Sequence, residues 1–253
     1  MRSWIIILTI AAVFTTNAAY GAAEKPVESA AHSLSIGAGM LASNGVYQGL
    51  SGKVLPLPVL TYRSPTLNVL GPTVSYTLVR WQGISLAPCL EYRWLGYSAD
   101  KSEALSGMSD RRGTLEGGLE AVFRLRYCQV SARLLGDMLA VHDGREMNCS
   151  IKTRLSLGKW FFIPDSGLLW SDRRVADYYY GVRWEEAGPL RPAYALGQQW
   201  QWYGGLWTGY SLGDHWRLFV AGQYMTLTDR MRASPIVRAK DRTTLVIGTL
   251  YSF

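Results

Sequence analysis

Three histidines are the first residues to consider, because an imidazole beside a carboxylate can serve as a general acid or base. His142 precedes Asp143 and His215 follows Asp214, whereas His32 has no acidic neighbour. Adjacent side chains on a strand or turn point in different directions, and no nucleophile stands in a recognisable context. We therefore expect these histidines to lie in exposed loops, and the sequence predicts no catalytic residue.

Metal and phosphate chemistry also lack a motif. Cys89, Cys128 and Cys149 are odd in number and do not have metal-ligand spacing. Residues 49–53 are similar to a phosphate-binding loop, but the required spacing and the following Ser or Thr are missing. We expect a loop tip there, with no metal and no cofactor. A hairpin centred near residue 141 would keep Cys128 and Cys149 too far apart for a disulfide.

The clearest chemical signal is a set of basic side chains on one face of alternating segments. They outnumber the acidic residues Glu91 and Glu120 on the same face. The candidates are Arg124, Arg126, Arg133, Lys152, Arg154 and Arg217. If this face lines a lumen, the set could attract anions or could form ion pairs that brace a filled barrel. The charge indicates polarity and names no substrate.

The beginning of the chain reads as an export signal. Arg2 is the positive residue, residues 4–14 are apolar, and small residues follow, so residues 1–21 are predicted to be a cleaved signal peptide. No later stretch is long and apolar enough for a transmembrane helix. Residues 22–253 then form one exported domain. The formal net charge is +7, but an exported chain without a basic tract is not expected to bind nucleic acid.

Alternation with a period of two predicts strands along the mature chain. Leu119 and Phe123 oppose Glu120 and Arg124, and the phase then flips near residues 126–128, which indicates a tight hairpin. The last segment alternates up to Tyr251 and Phe253. An aromatic terminal strand of this kind suits a closed membrane barrel, in which every strand is paired. We interpret Tyr251 and Phe253 as an assembly signal.

The connections favour a membrane barrel over a soluble sandwich with the same alternation. Long polar connections at about 96–113, 171–197 and 228–241 alternate with tight turns near 126, 158 and 213. Trp and Tyr stand at the ends of many segments, as interfacial girdles require. The sequence therefore predicts an all-β chain forming a single antiparallel transmembrane β-barrel of about 12 strands. The register of the N-terminal half stays open, because four prolines lie within residues 54–80.

Several irregular segments resemble the MipA/OmpV family of Gram-negative outer-membrane proteins, the MltA-interacting proteins. Their order along the chain matches the family and they span nearly all of the mature sequence. The segments are residues 107–112 (GMSDRR), 178–182 (YYYGV), 185–187 (EEA), 191–194 (RPAY), 234–237 (SPIV) and 251–253 (YSF).

The resemblance implies a monomeric outer-membrane barrel that acts as a scaffold, linking a membrane-bound murein lytic transglycosylase with a bifunctional murein synthase. It carries over no catalytic residue. The segments supply candidate residues for partner binding or for packing of the loops. These candidates are Asp110, Arg111, Tyr178, Tyr179, Tyr180, Arg191, Tyr194, Ser234 and Pro235.

Two alternatives to the scaffold stay open. The basic inward face would also fit a small anion-preferring pore or a solute-binding barrel. A barrel enzyme acting on lipid or peptide would rest on the two His–Asp neighbours alone. Partner capture would favour the scaffold, conductance would favour the pore, and the loops are expected to carry the recognition.

Overall fold

The computed structural model describes residues 32–253, which fold into a closed antiparallel β-barrel. The predicted signal peptide, residues 1–21, lies outside the described residues. The strands are β1 (Ser33–Ser43), β2 (Lys53–Arg63), β3 (Leu67–Leu70), β4 (Thr73–Tyr76), β5 (Val79–Trp81), β6 (Ile84–Arg93), β7 (Thr114–Arg124), β8 (Gln129–Asp137), β9 (Arg145–Lys152), β10 (Leu155–Leu157), β11 (Trp160–Ser171), β12 (Gln199–Leu212), β13 (Trp216–Thr226) and β14 (Asp241–Ser252). No helix among the described residues is long and apolar enough to cross a membrane.

These strands make 12 passes around the wall, as the sequence predicted. β4 and β5 pair with the same neighbour, β6, and β9 and β10 both pair with β11, so each couple forms one pass. β14 pairs with β1 on one side and β13 on the other. The backbone N–H of Phe253 donates to the carbonyl of Leu34 at 3.0 Å. Phe253 is therefore hydrogen-bonded to β1.

Side chains alternate between the outside and the lumen along each pass. In β12, Trp200, Trp202 and Leu206 are exposed on the outside, whereas Gln201 and Tyr203 are buried inside. An apolar exterior and a mixed interior are typical of a membrane barrel. The alternation predicted from the sequence is confirmed.

The two ends of the barrel differ in the length of their connections. The turn end carries short connections such as residues 125–128, 158–159 and 213–215, and Trp160, Tyr210, Trp216 and Tyr251 lie beside it. The loop end carries residues 44–52, 94–113, 138–144, 172–198 and 227–240, with Trp200 and Trp202 beside it. Aromatic rings at both ends form the two girdles that anchor a barrel in a bilayer.

The two α-helices among the described residues lie at the loop end, as do the 3-10 helices Ala99–Lys101, Glu103–Leu105 and Trp184–Glu186. α1 (Arg173–Tyr180) begins where the carboxylate of Asp172 accepts a hydrogen bond from the backbone of Val175 at 2.9 Å. α2 (Asp229–Arg232) begins at Thr228, whose hydroxyl accepts from Met231 at 3.2 Å. Such caps satisfy backbone N–H groups that have no partner within the helix. They fix where each long loop turns over the barrel mouth.

The N-terminal half departs from a regular barrel. β2 continues through Pro56 and Pro58, whereas β3 and β4 are only 4 residues long each. Their hairpin turns at Gly71 and Pro72, and β3 pairs with only the turn-end residues Thr61–Arg63 of β2, whereas β4 pairs with Cys89–Glu91 toward the loop end of β6. Because of the prolines, this register could not be predicted from the sequence. The two strand prolines face outward on β2.

The three cysteines are free thiols. β8 and β9 pair Gln129 with Lys152 and Ala132 with Cys149. This register would place Cys128 opposite residue 153, whereas the predicted hairpin centre near residue 141 would place it opposite residue 154. The expectation for this hairpin was therefore accurate to one residue.

Candidate functional site

Four loops pack together over the loop end of the barrel. We call residues 44–52, 94–113, 172–198 and 227–240 the loop cap. Its buried side chains form one apolar cluster: Val46, Tyr47, Tyr97, Ala99, Leu105, Met108, Val175, Ala176, Tyr179, Tyr180, Val182, Leu196, Leu227, Met231, Ile236 and Val237. An interior of this kind resists rearrangement because its side chains are close-packed. The loop cap is therefore an ordered layer.

A buried ion pair holds two of these loops together. Arg111 Nη2 lies 2.6 Å from Glu186 Oε2, and Nη1 lies 2.9 Å from Oε1. The guanidinium also donates to the backbone carbonyls of Ser109 and Tyr178, at 2.9 and 2.6 Å. A two-pronged contact between a guanidinium and a carboxylate fixes orientation as well as distance. Arg111 thus ties residues 94–113 to residues 172–198.

The environment of Glu186 explains why its carboxyl group is ionised. Burial would raise its pKa, but hydrogen bonds from Arg111 and from the backbone of Ser109 and Arg183 outweigh that effect. These contacts lower the pKa of Glu186 to about 2. Hydrogen bonds to a carboxylate favour its charged form. The pair is therefore intact at neutral and mildly acidic pH.

The run of three tyrosines lies on α1 and packs inward. The side chains of Tyr179 and Tyr180 are buried, and Tyr178 is half-buried. Tyr179 donates its hydroxyl to the carbonyl of Arg112 at 3.1 Å, and the Tyr178 hydroxyl accepts from the Arg112 backbone at 3.0 Å. Of the two uses expected for this run, the geometry is that of loop packing.

The other candidate loop residues join the same framework. Arg191 donates to the carbonyls of Ala104 and Ser106 at 2.8 and 2.9 Å. Three more candidates make side-chain hydrogen bonds: Asp110 accepts from the Ala99 backbone at 2.8 Å, Tyr194 donates to the Arg230 carbonyl at 2.8 Å, and Ser234 donates to the Tyr180 carbonyl at 2.6 Å. Pro235 follows Ser234 in the half-buried turn before the last strand. Arg191, Tyr194 and Ser234 thus join different loops, whereas Asp110 braces its own loop.

Inside the barrel, two arginines bridge four carboxylates on the wall formed by β6–β9. Arg133 pairs with Glu91 and, at 2.8 Å, with Glu120. The other bridge is made by Arg93, which lies 3.0 Å from Glu116 and 2.7 Å from Glu146. Buried charges require such partners. This wall is therefore charged, and each of its two arginines is shared between two carboxylates.

The remaining predicted lumen charges have four different surroundings. Arg154 and Arg217 lie over the ring of Phe161, with guanidinium carbons 4.7 and 5.6 Å from its centroid. Arg124 donates to the Ser85 hydroxyl at 3.0 Å, and Lys152 is buried within the lumen. Arg126 differs from the prediction. It lies in the exposed turn after β7, over the ring of Tyr127, because the strand ends at Arg124.

His142 was expected in an exposed loop and is instead buried. Its Nδ1 accepts a hydrogen bond from the Gly144 backbone at 3.0 Å, which leaves Nε2 directed at Glu116, 3.5 Å away. The tight 138–144 loop folds this ring under the loop cap, against Tyr179. His142 therefore extends the charged network. No group of three or more His, Cys, Asp or Glu that could hold a metal occurs among residues 32–253.

The opposite wall of the lumen is apolar. Its buried side chains are Leu41, Leu57, Val59, Phe161, Ile163, Trp207, Phe219, Ala221, Val246 and Leu250, from β1, β2 and β11–β14. Between this wall and the charged one lies a cavity of about 500 Å³, bounded on the loop side by residues 44–47. The lumen is thus amphipathic in cross-section. A cavity of this volume lies within the range of about 300 to 1,000 Å³ that is usual for small-molecule sites.

Sequence reasoning missed several members of the luminal network. Arg93, Glu116 and Glu146 lie at the loop ends of their strands, where the alternation runs into the long connections. The period-two alternation of the strands could have identified two of them. Glu116 has the same parity as Glu120 on β7, and Arg93 has the same parity as Glu91 on β6.

The family model described as MltA-interacting protein MipA matches residues 36–253. YiaT of Escherichia coli (strain K12) is 25% identical over 228 residues, which cover 88% of this chain and 92% of YiaT. The outer membrane protein OmpV of Vibrio cholerae is 27% identical over 111 residues, or 44% of this chain and 43% of OmpV. The chain is thus an outer-membrane protein.

Solved structures similar to this chain are outer-membrane channels. The COG4313 outer membrane channel of Pseudomonas putida F1 is 10% identical with a TM-score of 0.44, and the match covers 91% of this chain and 100% of the channel. The NanC porin is 9% identical with a TM-score of 0.42, covering 87% of this chain and 99% of the porin. These are distant likenesses.

Proposed function

Because the chain belongs to the MltA-interacting protein MipA family, we propose that it is a monomeric outer-membrane scaffold that links a murein lytic transglycosylase with a murein synthase. The proposal also takes support from the described side chains. Residues in the loop segments that resemble the family form hydrogen bonds and ion pairs with one another, as in the pair Arg111–Glu186. A barrel whose lumen is covered by the loop cap is better suited to anchor a scaffold in the membrane than to let solutes diffuse through it.

The turn end is the surface that this function would use. Outer-membrane barrels place short turns in the periplasm and long loops outside the cell, and murein lies in the periplasm. Tyr127 is 75% exposed on this end, with Arg126 stacked on its ring at 5.1 Å. An exposed aromatic ring beside an arginine is a common composition for a protein-binding surface. We therefore assign partner contact to the turn end, with Arg126 and Tyr127 at its centre.

A pull-down of the tagged barrel from cross-linked envelopes tests this assignment. Changing Arg126 and Tyr127 to Ala should reduce capture of a murein transglycosylase or synthase while the barrel still assembles. The comparison variant changes Tyr178 to Ala in the loop cap, and it should leave capture unchanged. If the loop-cap variant loses the partner and the turn variant retains it, the loops carry recognition and our assignment is wrong.

A second candidate function is solute binding in the lumen. The observation that favours it is the cavity of about 500 Å³ between a charged and an apolar wall. The anion-preferring pore is the related alternative. It would require a stable conductance in planar bilayers that falls when Arg154 and Arg217 are neutralised.

A further inference from the structure

The barrel wall has a break between β2 and β6, on the loop side of the short β3–β4 hairpin. β3 pairs only with Thr61–Arg63 of β2. Residues 53–59 of β2 pair with β1 on one edge, and no strand among the described residues pairs with the other edge. β6, in contrast, is paired almost to its end, because β5 pairs with Ile84–Leu86, β4 pairs with Cys89–Glu91, and the Tyr92 N–H donates to the Pro72 carbonyl at 3.2 Å. The break therefore lies between residues 53–59 of β2 and the loop-side end of β6, from Arg93 onward.

The sequence of β2 accommodates the break. The carbonyl of Leu60 accepts a hydrogen bond from Gly71 on β3 at 2.9 Å, so even-numbered residues of β2 direct their backbone groups toward this edge. Pro56 and Pro58 follow the same parity and carry no N–H. Unpaired N–H groups are costly within a membrane, and proline in a sheet is found on unpaired edges, at strand starts and at bulges. The two prolines remove two of the N–H donors that the break would leave exposed, and Val54 keeps the third.

The surface beside the break is apolar. Val54, Pro56, Pro58 and Leu60 all face outward and are exposed. Such side chains on a barrel exterior contact lipid chains. The break therefore borders the hydrocarbon region of the bilayer.

The luminal cavity reaches both edges of the break. Its lining includes Lys53 and Leu55 on the β2 side, and Arg93, Trp94 and Leu95 on the β6 side. The loop cap covers the cavity from the loop side. A ligand confined by this cap would have its direct path to the cavity from the side, through the wall.

One buried basic side chain in this cavity, Lys152, has no direct hydrogen bond or ion pair among the described residues, and the carboxylates of Glu120 and Asp165 act on it only at longer range. Lys152 is 6% exposed, lines the cavity, and its ammonium group makes no hydrogen bond with the described residues. Asp165 lies opposite Lys152 in the β9–β11 register, but no ion pair within 4.0 Å joins the two among the described residues. The other buried cations of the charged wall, Arg93 and Arg133, are held between carboxylates. A buried unpaired charge is unfavourable, so an anionic group beside Lys152 would complete the site.

We propose that the barrel binds a single-chain amphiphile with one anionic headgroup, which enters from the bilayer through the break between β2 and β6. The headgroup contacts Lys152, and the apolar chain lies along Leu41, Ile163 and Trp207. This inference rests on the solute-binding candidate and is independent of the scaffold. It adds the class of ligand and its route.

Fluorescence titration with dansyl-labelled undecanoic acid tests the site. Lys152→Met removes the charge while keeping much of the apolar stem, and it should weaken binding about 10- to 100-fold, as for loss of a hydrogen bond to a charged group. Lys159→Met, in an exposed turn, is the matched control and should bind as the parent does. The corresponding uncharged alcohol probe should bind both variants equally. Heat-modifiable migration on gels confirms that each variant is folded.

A cross-link tests the route. In a chain with the three cysteines changed to Ser, Pro56→Cys and Leu95→Cys can be joined by a bismaleimide across the break. The link should slow uptake from probe-loaded vesicles by about tenfold and leave the equilibrium affinity unchanged, because a gate acts on rates. Unchanged uptake would overturn the lateral route. Absence of probe binding, or equal binding by Lys152→Met, would overturn the site, and neither result would affect partner capture by the turn end.

Discussion

Removing one partner of the Arg111–Glu186 pair should loosen the loop cap without unfolding the barrel. In Arg111→Met, the carboxylate of Glu186 would stay buried and lose both contacts to the guanidinium, at 2.6 and 2.9 Å. Removing one member of a buried ion pair costs about 3 to 5 kcal/mol. The wall keeps its strand pairing, so this change should lower the free energy needed to open residues 94–113 and 172–198.

Amide hydrogen exchange measures this opening segment by segment. A loss of about 3 to 5 kcal/mol corresponds to exchange that is faster by about two to three and a half orders of magnitude. Exchange in β12 and β13 should not change. Arg173→Ala is the control, because the pair Arg173–Asp177 is solvent-exposed, and surface pairs of this type are worth about 0.5 kcal/mol or less.

The same pair sets a pH dependence with a defined sign. The pKa of Glu186 is lowered to about 2 from an ordinary value near 4.5. The stabilisation is therefore fully present above about pH 4.5 and is lost as the pH falls toward 2. Cap exchange in the parent should accelerate across that window, and Glu186→Gln should abolish this component. If Arg111→Met leaves cap exchange as slow as in the parent, the pair does not hold the loops.

Three further predictions concern the barrel itself. Leu206→Arg, on the outward face in the middle of β12, should destabilise the barrel by about 2 to 4 kcal/mol in lipid, and Leu218→Arg, near the girdle, by less; equal costs in urea titrations from liposomes would contradict our placement. Arg133→Met should cost about 3 to 5 kcal/mol because Glu91 and Glu120 lose their cation, whereas Arg126→Met should be near neutral in the same titrations. Deleting Phe253 should lower the assembled fraction on heat-modifiability gels, since its hydrogen bond to β1 is lost; normal assembly would refute the assembly role.

The barrel could be predicted from the sequence because its determinants are local. Alternation, terminal aromatics and unequal connections each follow from which face meets lipid. The wall break could not be predicted in this way. Pro56 and Pro58 read as interruptions of a strand, whereas β2 continues through them because its far edge has no partner. Whether a strand edge is paired depends on the length of a hairpin elsewhere in the chain.

The sequence predicted that charged side chains would line the lumen, but it could not predict which residues they would contact. Parity placed Arg133 and Lys152 inside the barrel, yet their fates differ: Arg133 lies between two carboxylates, and Lys152 faces a cavity. Arg126 has the same parity as Glu120 on β7, but it lies in an exposed turn because β7 ends two residues earlier, at Arg124. His142 is buried because a short loop folds it inward. Each of these outcomes is set by tertiary contacts that no local pattern encodes.

Site-specific photo-cross-linking in living cells tests the central proposal most directly. A photoreactive residue at Tyr127 or Lys159, on the turn end, should cross-link to a murein lytic transglycosylase or synthase. The same residue at Leu190, which is 98% exposed on the loop end, should not. Cross-links to those enzymes from Leu190 alone, or from none of the three positions, would contradict the account.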